Sequence, residues 1–362
     1  MPILYFTVTT DLTYDQRMIR ICTTLAQAGY KVILVGRKQK RSKKLAAEPY
    51  QQKRIRCLFE KGIFFYAEYN MRLFFYLLFK KMDGICAVDL DTILPCYYIA
   101  RIKKVKSIYD AHELFCEMKE VVSRPKIYRI WKWIEQKTVP HFKYGYTVNK
   151  PIADEFHKMY GSNYEVIRSI SWYNEKLQEQ KKERYILYQG AVNEGRSFET
   201  LIPAMQHVDA HLIICGDGNF MNAAKKIVAD HQLQDKVTFK GMVEPTALRE
   251  YTALAYIGIT LFEKDSRSNY FSLANRFFDY IHAATPQLCV NYPVYREIND
   301  QYHVALLIDD LSTATIAIHL NELLNDKTAW QRMRANCMKA TTSLNWQNEA
   351  IKLLLFYKNI FG

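Results

Sequence analysis

The sequence predicts an α/β protein with two doubly wound parallel-sheet domains. Short β-branched or aromatic runs alternate with helical patterns of about 10 to 15 residues in both halves, which is typical of parallel strands joined by crossover helices. A polar stretch, Glu175–Arg184, separates the two series, and 362 residues suit two domains of roughly 150 residues each. We therefore predict domains at residues 1–170 and 171–345, a linker near Ser171–Arg184, and a C-terminal helix at 346–362 that packs back toward the first domain.

Each predicted strand is a short β-branched or aromatic run. In the first half the predicted strands are Ile3–Val8, Lys31–Val35, Ile85–Val88, Ser107–Asp110 and Tyr144–Asn149. In the second half they are Tyr185–Gln189, His211–Cys215, Val237–Lys240, Tyr256–Leu261, Gln287–Val290 and Ala305–Ile308. Helical patterns predict helices over Tyr14–Ala28, Phe198–His207, Asn219–His231 and Ser272–Ala284.

Composition excludes several classes of protein. With 49% hydrophobic and 24% charged residues, and only 13 Gly and 10 Pro, the chain is expected to be globular rather than disordered or fibrous. It has no run of about 20 uncharged apolar residues, and Met1–Phe6 lacks the features of a signal peptide, so we expect neither a membrane span nor secretion. The eight cysteines form no CxxC pair, which favours reduced thiols in a cytoplasmic protein over zinc ligands or disulfides.

The net positive charge lies entirely in the first half of the chain. Residues 1–165 hold 29 Lys and Arg against 16 Asp and Glu, whereas residues 166–362 hold 21 of each. Such a surface attracts phosphates on nucleic acid, anionic lipid or a phosphorylated substrate. Basic clusters at Lys38–Lys44 and Lys53–Arg56 precede the aromatic segment Gly62–Phe79. The sequence supports two interpretations of that segment about equally. It is either a surface helix on an anionic membrane or a crossover helix with a wide buried face.

A histidine follows a predicted strand of the basic half. Ligands of open α/β sheets bind beyond the carboxyl ends of strands, which places His112 well for a substrate hydroxyl, with Asp110 or Glu113 to orient its ring. The alternative is a structural histidine. The acidic pair in Asp89-Leu90-Asp91 resembles a divalent-cation site, but solvated loop acids explain it more simply, and we expect no metal.

In the second half, the segment Ser268–Tyr280 follows a strand and opens a helix. Ser272 can cap that helix, which leaves free N–H groups in its first turn, and these donors with Arg276 would form a diphosphate cradle. Asp279, two turns from the cap, can accept hydrogen bonds from ribose hydroxyls. The alternative is a capped helix with one surface acid.

These segments, in this order, resemble retaining glycosyltransferases of the GT-B type, close to family 4 and its group 1 transferases, over nearly the whole chain. In the first half the resemblance is carried by Thr10–Val32 and by Asp110–Glu113, the segment that holds the family's cleft histidine. In the second half it is carried by Tyr188–Arg196, Gly216–Gly218 and Ser272–Pro286. The resemblance implies two Rossmann-like domains that face a central cleft, with a nucleotide-sugar bound to the second domain.

The resemblance also implies roles for individual residues. His112, with Asp110 and Glu113, would act at the donor sugar, and the acceptor-side residues would be Asp11, Asp15 and Arg17. The donor-binding residues would be Gly190, Arg196, Gly216, Asn269, Ser272, Leu273, Asn275, Arg276 and Asp279. Basic side chains and helix amides would stabilise the leaving diphosphate, so neither a cofactor nor a metal is expected.

The chain departs from the family pattern at a few positions. Asp279 stands where the family has the second Glu of its paired-glutamate motif, but the first Glu becomes Phe271 or Asn269, depending on the register. Ala191 replaces an Arg of the family, and Ala284 replaces a frequent Gly. These changes leave the donor sugar open and give a non-catalytic descendant of the fold some support.

The resemblance predicts transfer of a sugar from a UDP- or GDP-sugar to a glycan or lipid-linked acceptor for a cell-surface polysaccharide. The expected location is the cytoplasm, at the inner face of the cell membrane. Alternative functions are a sugar-nucleotide epimerase, which needs no acceptor, and a non-catalytic scaffold that binds a nucleotide or lipid. A nucleic-acid binder fits the charge, but the sequence carries no recognised motif for it, and we expect no nucleic acid as a partner.

Overall fold

The computed structural model describes residues 1–40 and 42–362, so Arg41, in the basic cluster Lys38–Lys44, lies outside the described residues. The described chain forms two compact units, one of Met1–Ser169 with Asn348–Gly362 and one of Ile170–Gln347. Within these described residues, the strands form a seven-stranded sheet in the first unit and a six-stranded sheet in the second. Neighbouring strands run parallel in both sheets, as the alternation of strands and helices predicts.

The strands of the first unit are β1 Ile3–Thr7, β2 Lys31–Lys38, β3 Gln51–Arg56, β4 Gly84–Val88, β5 Lys106–Asp110, β6 Tyr144–Thr147 and β7 Glu165–Val166. Their order across the sheet is β3-β2-β1-β4-β5-β6-β7. The helices are α1 Gln16–Gln27, α2 Gly62–Leu78, α3 Ile93–Lys103, α4 Lys119–Val122, α5 Pro125–Thr138 and α6 Lys150–Tyr160.

The strands of the second unit are β8 Glu183–Gln189, β9 His211–Cys215, β10 Val237–Gly241, β11 Ala255–Thr260, β12 Gln287–Val290 and β13 Ala305–Ile308. Their order is β10-β9-β8-β11-β12-β13. The helices are α7 Phe198–Ala204, α8 Met221–Asp230, α9 Pro245–Leu254, α10 Arg267–Tyr270, α11 Asn275–His282, α12 Pro293–Tyr302, α13 Thr313–Asn325, α14 Lys327–Ala340 and α15 Trp346–Phe361. The last helix belongs to the second unit up to Gln347 and to the first unit from Asn348.

Both sheets reverse their winding direction beside their first strand, between β1 and β4 and between β8 and β11. In open α/β sheets, ligands bind beyond the carboxyl ends of the strands at such switch points. The strands on either side are almost entirely buried, which explains why they read as continuous apolar runs rather than alternating ones. The fold therefore directs attention to the loops that follow β1, β4, β8 and β11.

Strand β3 is an element that sequence patterning does not reveal. Its sequence, Gln-Gln-Lys-Arg-Ile-Arg, has no apolar run, and its last four residues are the basic cluster Lys53–Arg56. Only Ile55 is buried in it, because β3 is the edge strand next to β2. An edge strand with charged side chains is a common way to prevent pairing with another chain.

The aromatic segment forms a crossover helix, α2, between β3 and β4. Phe65, Tyr69 and Leu73 are buried on one side of α2, which packs against α3 and β3. The same helix exposes Phe64 and Phe75, so it also presents large apolar side chains to solvent. In the described part of the chain, no helix combines the length and the apolarity needed to cross a membrane.

The part of α15 in the first unit contacts that unit through aromatic side chains. The ring of Tyr357 lies 6.1 Å from that of Phe6 in β1, and Phe361 lies 6.4 Å from Tyr30. Tyr357 is fully buried. The eight cysteines, all among the described residues, are free thiols, and all except Cys57 are buried.

Gly258 of β11 allows helix α11 to lie close to the second sheet. A Cβ at this position would lie 2.5 Å from Cγ of buried Tyr280, whose hydroxyl donates to the Leu187 carbonyl oxygen at 2.8 Å. We expect Gly258→Ala to lower the free energy of unfolding by about 1–3 kcal/mol, because the ring must move out of its rotamer. Urea denaturation measures this effect. In a Tyr280→Leu background the same substitution should lower the free energy of unfolding much less. An equal decrease in both backgrounds would refute the steric explanation.

Candidate active site

Ionisable residues of the first unit, among them the predicted Asp11 and His112, lie beyond the carboxyl ends of neighbouring parallel strands. Asp11 follows β1, Asp89 follows β4 and His112 follows β5. Residue Val88 is in register with Asp110, and Thr7 is in register with Ala87, so these strand ends lie at one edge of the sheet. The switch point of the first sheet therefore collects the ionisable side chains.

His112 pairs with Asp89, a residue that the sequence predicts to be a solvated loop acid. The Nε2 atom of His112 lies 3.0 Å from Oδ2 of Asp89, with 34% and 12% of the two side chains exposed. The expectation that Asp110 orients the ring is wrong. Asp110 is instead engaged by Arg17. A carboxylate oxygen of Glu113 lies within 4.8 Å of the nearest ring nitrogen of His112 and of Asp89.

Arg17 and Asp110 form a bidentate ion pair in the interior of the first unit. The Arg17 Nη2 atom donates to Asp110 Oδ1 at 2.8 Å, and Nε donates to Oδ2 at 3.0 Å. Both side chains are buried. Two parallel N–H···O bonds are the strongest geometry available to a guanidinium and a carboxylate. Arg17, expected on the acceptor side, is thus committed to a structural contact.

The other two acceptor-side residues also make contacts within the first unit, one of them with β3. Asp11 accepts hydrogen bonds from Arg54 and from the Thr13 amide. Burial raises the pKa of Asp11, but its hydrogen bonds and the Arg54 charge lower it more, so that the pKa lies below its ordinary value. Asp15 caps α1 by accepting from the Met18 amide at 3.0 Å. These contacts hold the loop between β1 and α1 in shape.

The electrostatics around His112 favour its charged form. Burial lowers the pKa of His112, but the charge and hydrogen bond of Asp89, with Asp110 and Glu113 nearby, raise it to about 10. His112 is therefore an imidazolium at neutral pH, with protons on both ring nitrogens. Asp91 behaves in the opposite way, because burial and the charge of Asp89 raise its pKa to about 7.

The cluster of Asp89, His112 and Glu113 has the composition of a metal site, and its potential ligand atoms lie within 4.8 Å of one another. A histidine can ligate a cation only through a neutral ring nitrogen. The Nε2 atom of His112 already bonds Asp89, and the raised pKa keeps the ring protonated. A cation bound at this cluster would have to displace the Nε2 proton and the contact with Asp89.

In the second unit, glycine turns bring two loops together. Gly190 follows β8 with φ 128°, and Gly216 follows β9 with φ 151°. A Cβ on Gly216 would lie 1.8 Å from the Gly190 carbonyl oxygen, and one on Gly190 would lie 2.9 Å from Nη1 of Arg276. Any other residue at these positions would push the loops apart.

Two arginines lie against the ring of Phe262, just after β11. The guanidinium carbons of Arg196 and Arg276 are each 4.5 Å from the ring centroid. Arg196 donates to Asn269 Oδ1 at 2.9 Å, and Arg276 donates to the Gln189 carbonyl oxygen at 3.2 Å. Among residues 1–40 and 42–362, Nε and Nη2 of Arg276 have no hydrogen-bond partner, although the residue is only 7% exposed. Buried donors of this kind normally have acceptors, so the site suits an anion.

The prediction that Ser272 caps the following helix is wrong. Helix α11 begins at Asn275 after Ala274, which has no capping side chain, whereas the Ser272 hydroxyl donates to the Asn269 carbonyl oxygen at 2.8 Å. Short helix α10 is followed by a turn that extends to Ser272, and this residue lies two positions before Ala274, the N-cap of α11. Leu273 is buried in the same connection, and Asn275 is exposed.

Asp279 lies in a chain of hydrogen bonds at the end of β8. Its Oδ1 accepts from the Ser171 hydroxyl at 2.6 Å, and its Oδ2 accepts from Gln189 Nε2 at 2.9 Å. The Thr252 hydroxyl donates to Gln189 Oε1 at 2.6 Å and fixes the orientation of that amide. Each carboxylate oxygen can accept a further bond, so Asp279 can still bind a ribose hydroxyl.

Sequence reasoning missed three residues of the site: Asp89, Gln189 and Phe262. Asp89 and Gln189 lie at or directly after strand ends, so the strand-end rule applied to every strand would have found them. Phe262 has no signal in the sequence, because its importance comes only from the two arginines that stack on it.

Residues 171–342 match the model of the family described as glycosyl transferases group 1. This half of the chain is therefore similar to the group 1 glycosyl transferases. That match spans the second unit, with both glycine turns, both arginines and Asp279. No curated protein matches the sequence. The predicted resemblance to group 1 glycosyltransferases is confirmed.

Solved structures of the same fold cover the whole chain. One is sucrose-phosphate synthase from Thermosynechococcus elongatus, with a TM-score of 0.76, 14% identity, and coverage of 100% of this chain and 99% of that one. Another is Anabaena Alr3699/HepE in complex with UDP and glucose, with a TM-score of 0.74, 10% identity, and coverage of 99% of this chain and 100% of that one. A third is WaaG, a glycosyltransferase involved in lipopolysaccharide biosynthesis, with a TM-score of 0.69, 14% identity, and coverage of 99% of this chain and 100% of that one. The predicted GT-B fold is confirmed.

Replacing Asp89 by Asn should lower the pKa of His112 from about 10 toward the ordinary value of 6.5, because the largest stabilising charge is lost. NMR titration of the ring resonances measures this shift. The ion pair raises the folded pKa, so its stability is complete below about pH 6.5 and is lost as pH rises through about 10. Asp91→Asn is the control and should shift the pKa much less, since the Asp91 carboxylate accepts from the Thr9 hydroxyl; a pKa unchanged by Asp89→Asn would refute the pairing.

Removing one partner of the buried ion pair should be strongly destabilising. We expect Asp110→Ala to lower the free energy of unfolding by about 3–5 kcal/mol, because the Arg17 guanidinium is left buried without its partner. Urea denaturation followed by circular dichroism measures the loss. The double variant Arg17→Met/Asp110→Leu should recover much of it, since the uncompensated charge is gone. If the double variant has the same free energy of unfolding as Asp110→Ala, the explanation by an uncompensated buried charge is wrong.

Proposed function

We propose that the protein transfers a sugar from a UDP- or GDP-sugar to a glycan or lipid-linked acceptor, with retention of configuration and without a metal ion. The observation that carries this proposal is the pair of arginines on Phe262, in which Arg276 keeps buried donors without partners among the described residues. A nucleoside diphosphate supplies acceptors for Nε and Nη2 of Arg276 and negative charge beside both guanidinium groups. The match of residues 171–342 to the group 1 glycosyl transferases supports a nucleotide-sugar as the source of that diphosphate.

The leaving diphosphate can be stabilised by side chains alone. Arg196 and Arg276 carry fixed positive charge in a partly buried site, where such charges stabilise a developing anion strongly. The glycine turns at Gly190 and Gly216 allow backbone to approach the ligand, and Asp279 would bind the ribose. In the first unit, protonated His112 would donate a hydrogen bond to the transferred sugar.

The related structures support a donor and an acceptor class. HepE was solved with UDP and glucose, which favours a UDP-sugar here. WaaG is involved in lipopolysaccharide biosynthesis, which favours a cell-surface glycan or its lipid-linked precursor as the acceptor. The basic charge of the first half fits a location at the inner face of the cell membrane, next to anionic lipid.

The scaffold hypothesis remains the second candidate, because the residues at the first glutamate position are not carboxylates. Asn269 nevertheless contacts Arg196, so this position still contributes to the arginine pair. The epimerase hypothesis differs in needing no acceptor. Incubation with a UDP-sugar alone would release an epimerised sugar-nucleotide if that hypothesis is correct, and transfer would require an added acceptor.

Calorimetric titration of the full chain with UDP, GDP and ADP, in excess EDTA, tests the proposal. We expect one nucleotide to bind and Arg276→Ala to weaken it by about tenfold to a hundredfold, since charge-assisted hydrogen bonds contribute about 1.5–3 kcal/mol. Arg332→Ala, an exposed arginine of α14, is the matched control and should have no effect. Loss of binding in EDTA would overturn metal independence, and no binding of any nucleotide with or without Mg²⁺ would favour a lipid-binding scaffold.

A further inference from the structure

The first unit contains an apolar cavity that is separate from the contacts assigned to the donor. It has a volume of about 250 Å³ and lies between α2 and α5, with Leu90, Asp91 and Leu94 on a third side. A dry apolar cavity of roughly 150 Å³ is large enough to bind benzene. This cavity therefore has room for a hydrocarbon segment longer than one ring.

Both helices direct an apolar stripe into the cavity. On α2 the stripe begins at Ile63 and continues through Tyr66 and Ala67, and on α5 it runs from Ile127 to Ile134. Stripes with this spacing normally pack directly against each other in a protein core. Here the helices leave a space between them, although the rings of Tyr66 and Trp131 still touch at 5.2 Å.

The cavity opens to solvent at side chains that are apolar and exposed. Ile63 is 50% exposed and Ile130 is 42% exposed, and both line the cavity. Nearby on the same helices, Phe64 and Trp133 are also exposed large apolar residues. Exposed apolar side chains around a concave site are typical of a surface that binds an apolar ligand or a membrane.

The charge around the opening indicates an anionic ligand. The segment Lys119–Lys137 holds six basic and two acidic residues. Arg124, directly before α5, is exposed and lines the cavity. An apolar cavity with a guanidinium at its edge is complementary to a hydrocarbon tail with a phosphate at one end.

The cavity adjoins the loop that holds the candidate catalytic histidine. Asp91 lines the cavity, and Asp89, two residues earlier, pairs with His112. We propose that the cavity binds the hydrocarbon tail of a lipid-linked acceptor, with the phosphate of that lipid at Arg124. This inference rests on the proposed sugar transfer and specifies the acceptor as an anionic lipid.

Calorimetric titration of the full chain with decyl phosphate, below the concentration at which it forms micelles, tests the tail site directly. Decyl phosphate should bind, whereas inorganic phosphate and decyltrimethylammonium should bind at least about tenfold more weakly. Ala67→Trp fills the cavity and should weaken binding of decyl phosphate by about tenfold or more. Met71→Trp, on an exposed position of α2 that does not line the cavity, is the control and should have no effect.

A second pair of variants tests the phosphate contact. Arg124→Ala should weaken decyl phosphate binding by about tenfold, and Lys126→Ala, its exposed neighbour outside the cavity lining, should not. Unchanged binding in Ala67→Trp would overturn the tail site, and equal binding of the cationic amphiphile would overturn the anionic lipid. A concentration-dependent dimer that Ala67→Trp abolishes would identify a second copy as the occupant instead.

UDP, GDP and ADP titrations of the same variants keep this proposal separate from the sugar transfer. If one of these nucleotides binds and decyl phosphate does not, the tail site is wrong and the transferase proposal stands. If decyl phosphate binds and no nucleotide does, the transferase proposal fails, and so does the assignment of the lipid as an acceptor. Nucleotide affinity should be the same in Ala67→Trp and in the unmodified protein.

Discussion

The buried ion pair between Arg17 and Asp110 fixes the strand edge on which the candidate site of the first unit depends. Asp110 ends β5 with no solvent exposure, and a carboxylate in that position needs a partner because desolvation is costly. Arg17 of α1 supplies it with two hydrogen bonds. The backbone of Asp110 in turn accepts from the Asp89 amide at 3.0 Å, so the pair anchors the loop after β4 as well. The ion pair therefore fixes the positions of both His112, two residues after Asp110, and its partner Asp89.

Asp89 holds this position in an unfavourable backbone conformation. Its φ of 56° and ψ of 175° fall in a region that residues other than glycine rarely occupy, at a cost of about 1–3 kcal/mol. The conformation directs the carboxylate to His112 and leaves Asp91 on the side of the apolar cavity. Because the charge of Asp89 raises the pKa of both neighbours, one loop keeps His112 protonated and makes Asp91 easier to protonate. Strain of this kind is commonly retained at functional sites.

The sequence predicts the sheets well because buried parallel strands are continuous apolar runs, and it locates Arg276 and Asp279 because they follow such strands. It fails for β3, where an edge position removes the need for apolar residues. It also fails for the ring partner of His112, because Asp89 and Asp110 end adjacent strands and are equally plausible from the chain alone. Only the three-dimensional arrangement shows that Arg17 has already neutralised Asp110. Contacts between residues far apart in sequence are the information that periodicity and strand-end rules do not contain.

The replacement of the family's first glutamate by Asn269, in one register, has an electrostatic consequence at the arginine pair. The Asn269 amide accepts from Arg196 through its oxygen and donates to Asp265 Oδ1 at 3.0 Å through its nitrogen. A glutamate would face Asp265 as a like charge and would pair with Arg196 as an opposite one. The neutral amide avoids that repulsion while its oxygen accepts from the Arg196 guanidinium. Arg196 and Arg276 lie together on Phe262, and two guanidinium groups in this position suit a polyanionic ligand such as a diphosphate better than a neutral sugar.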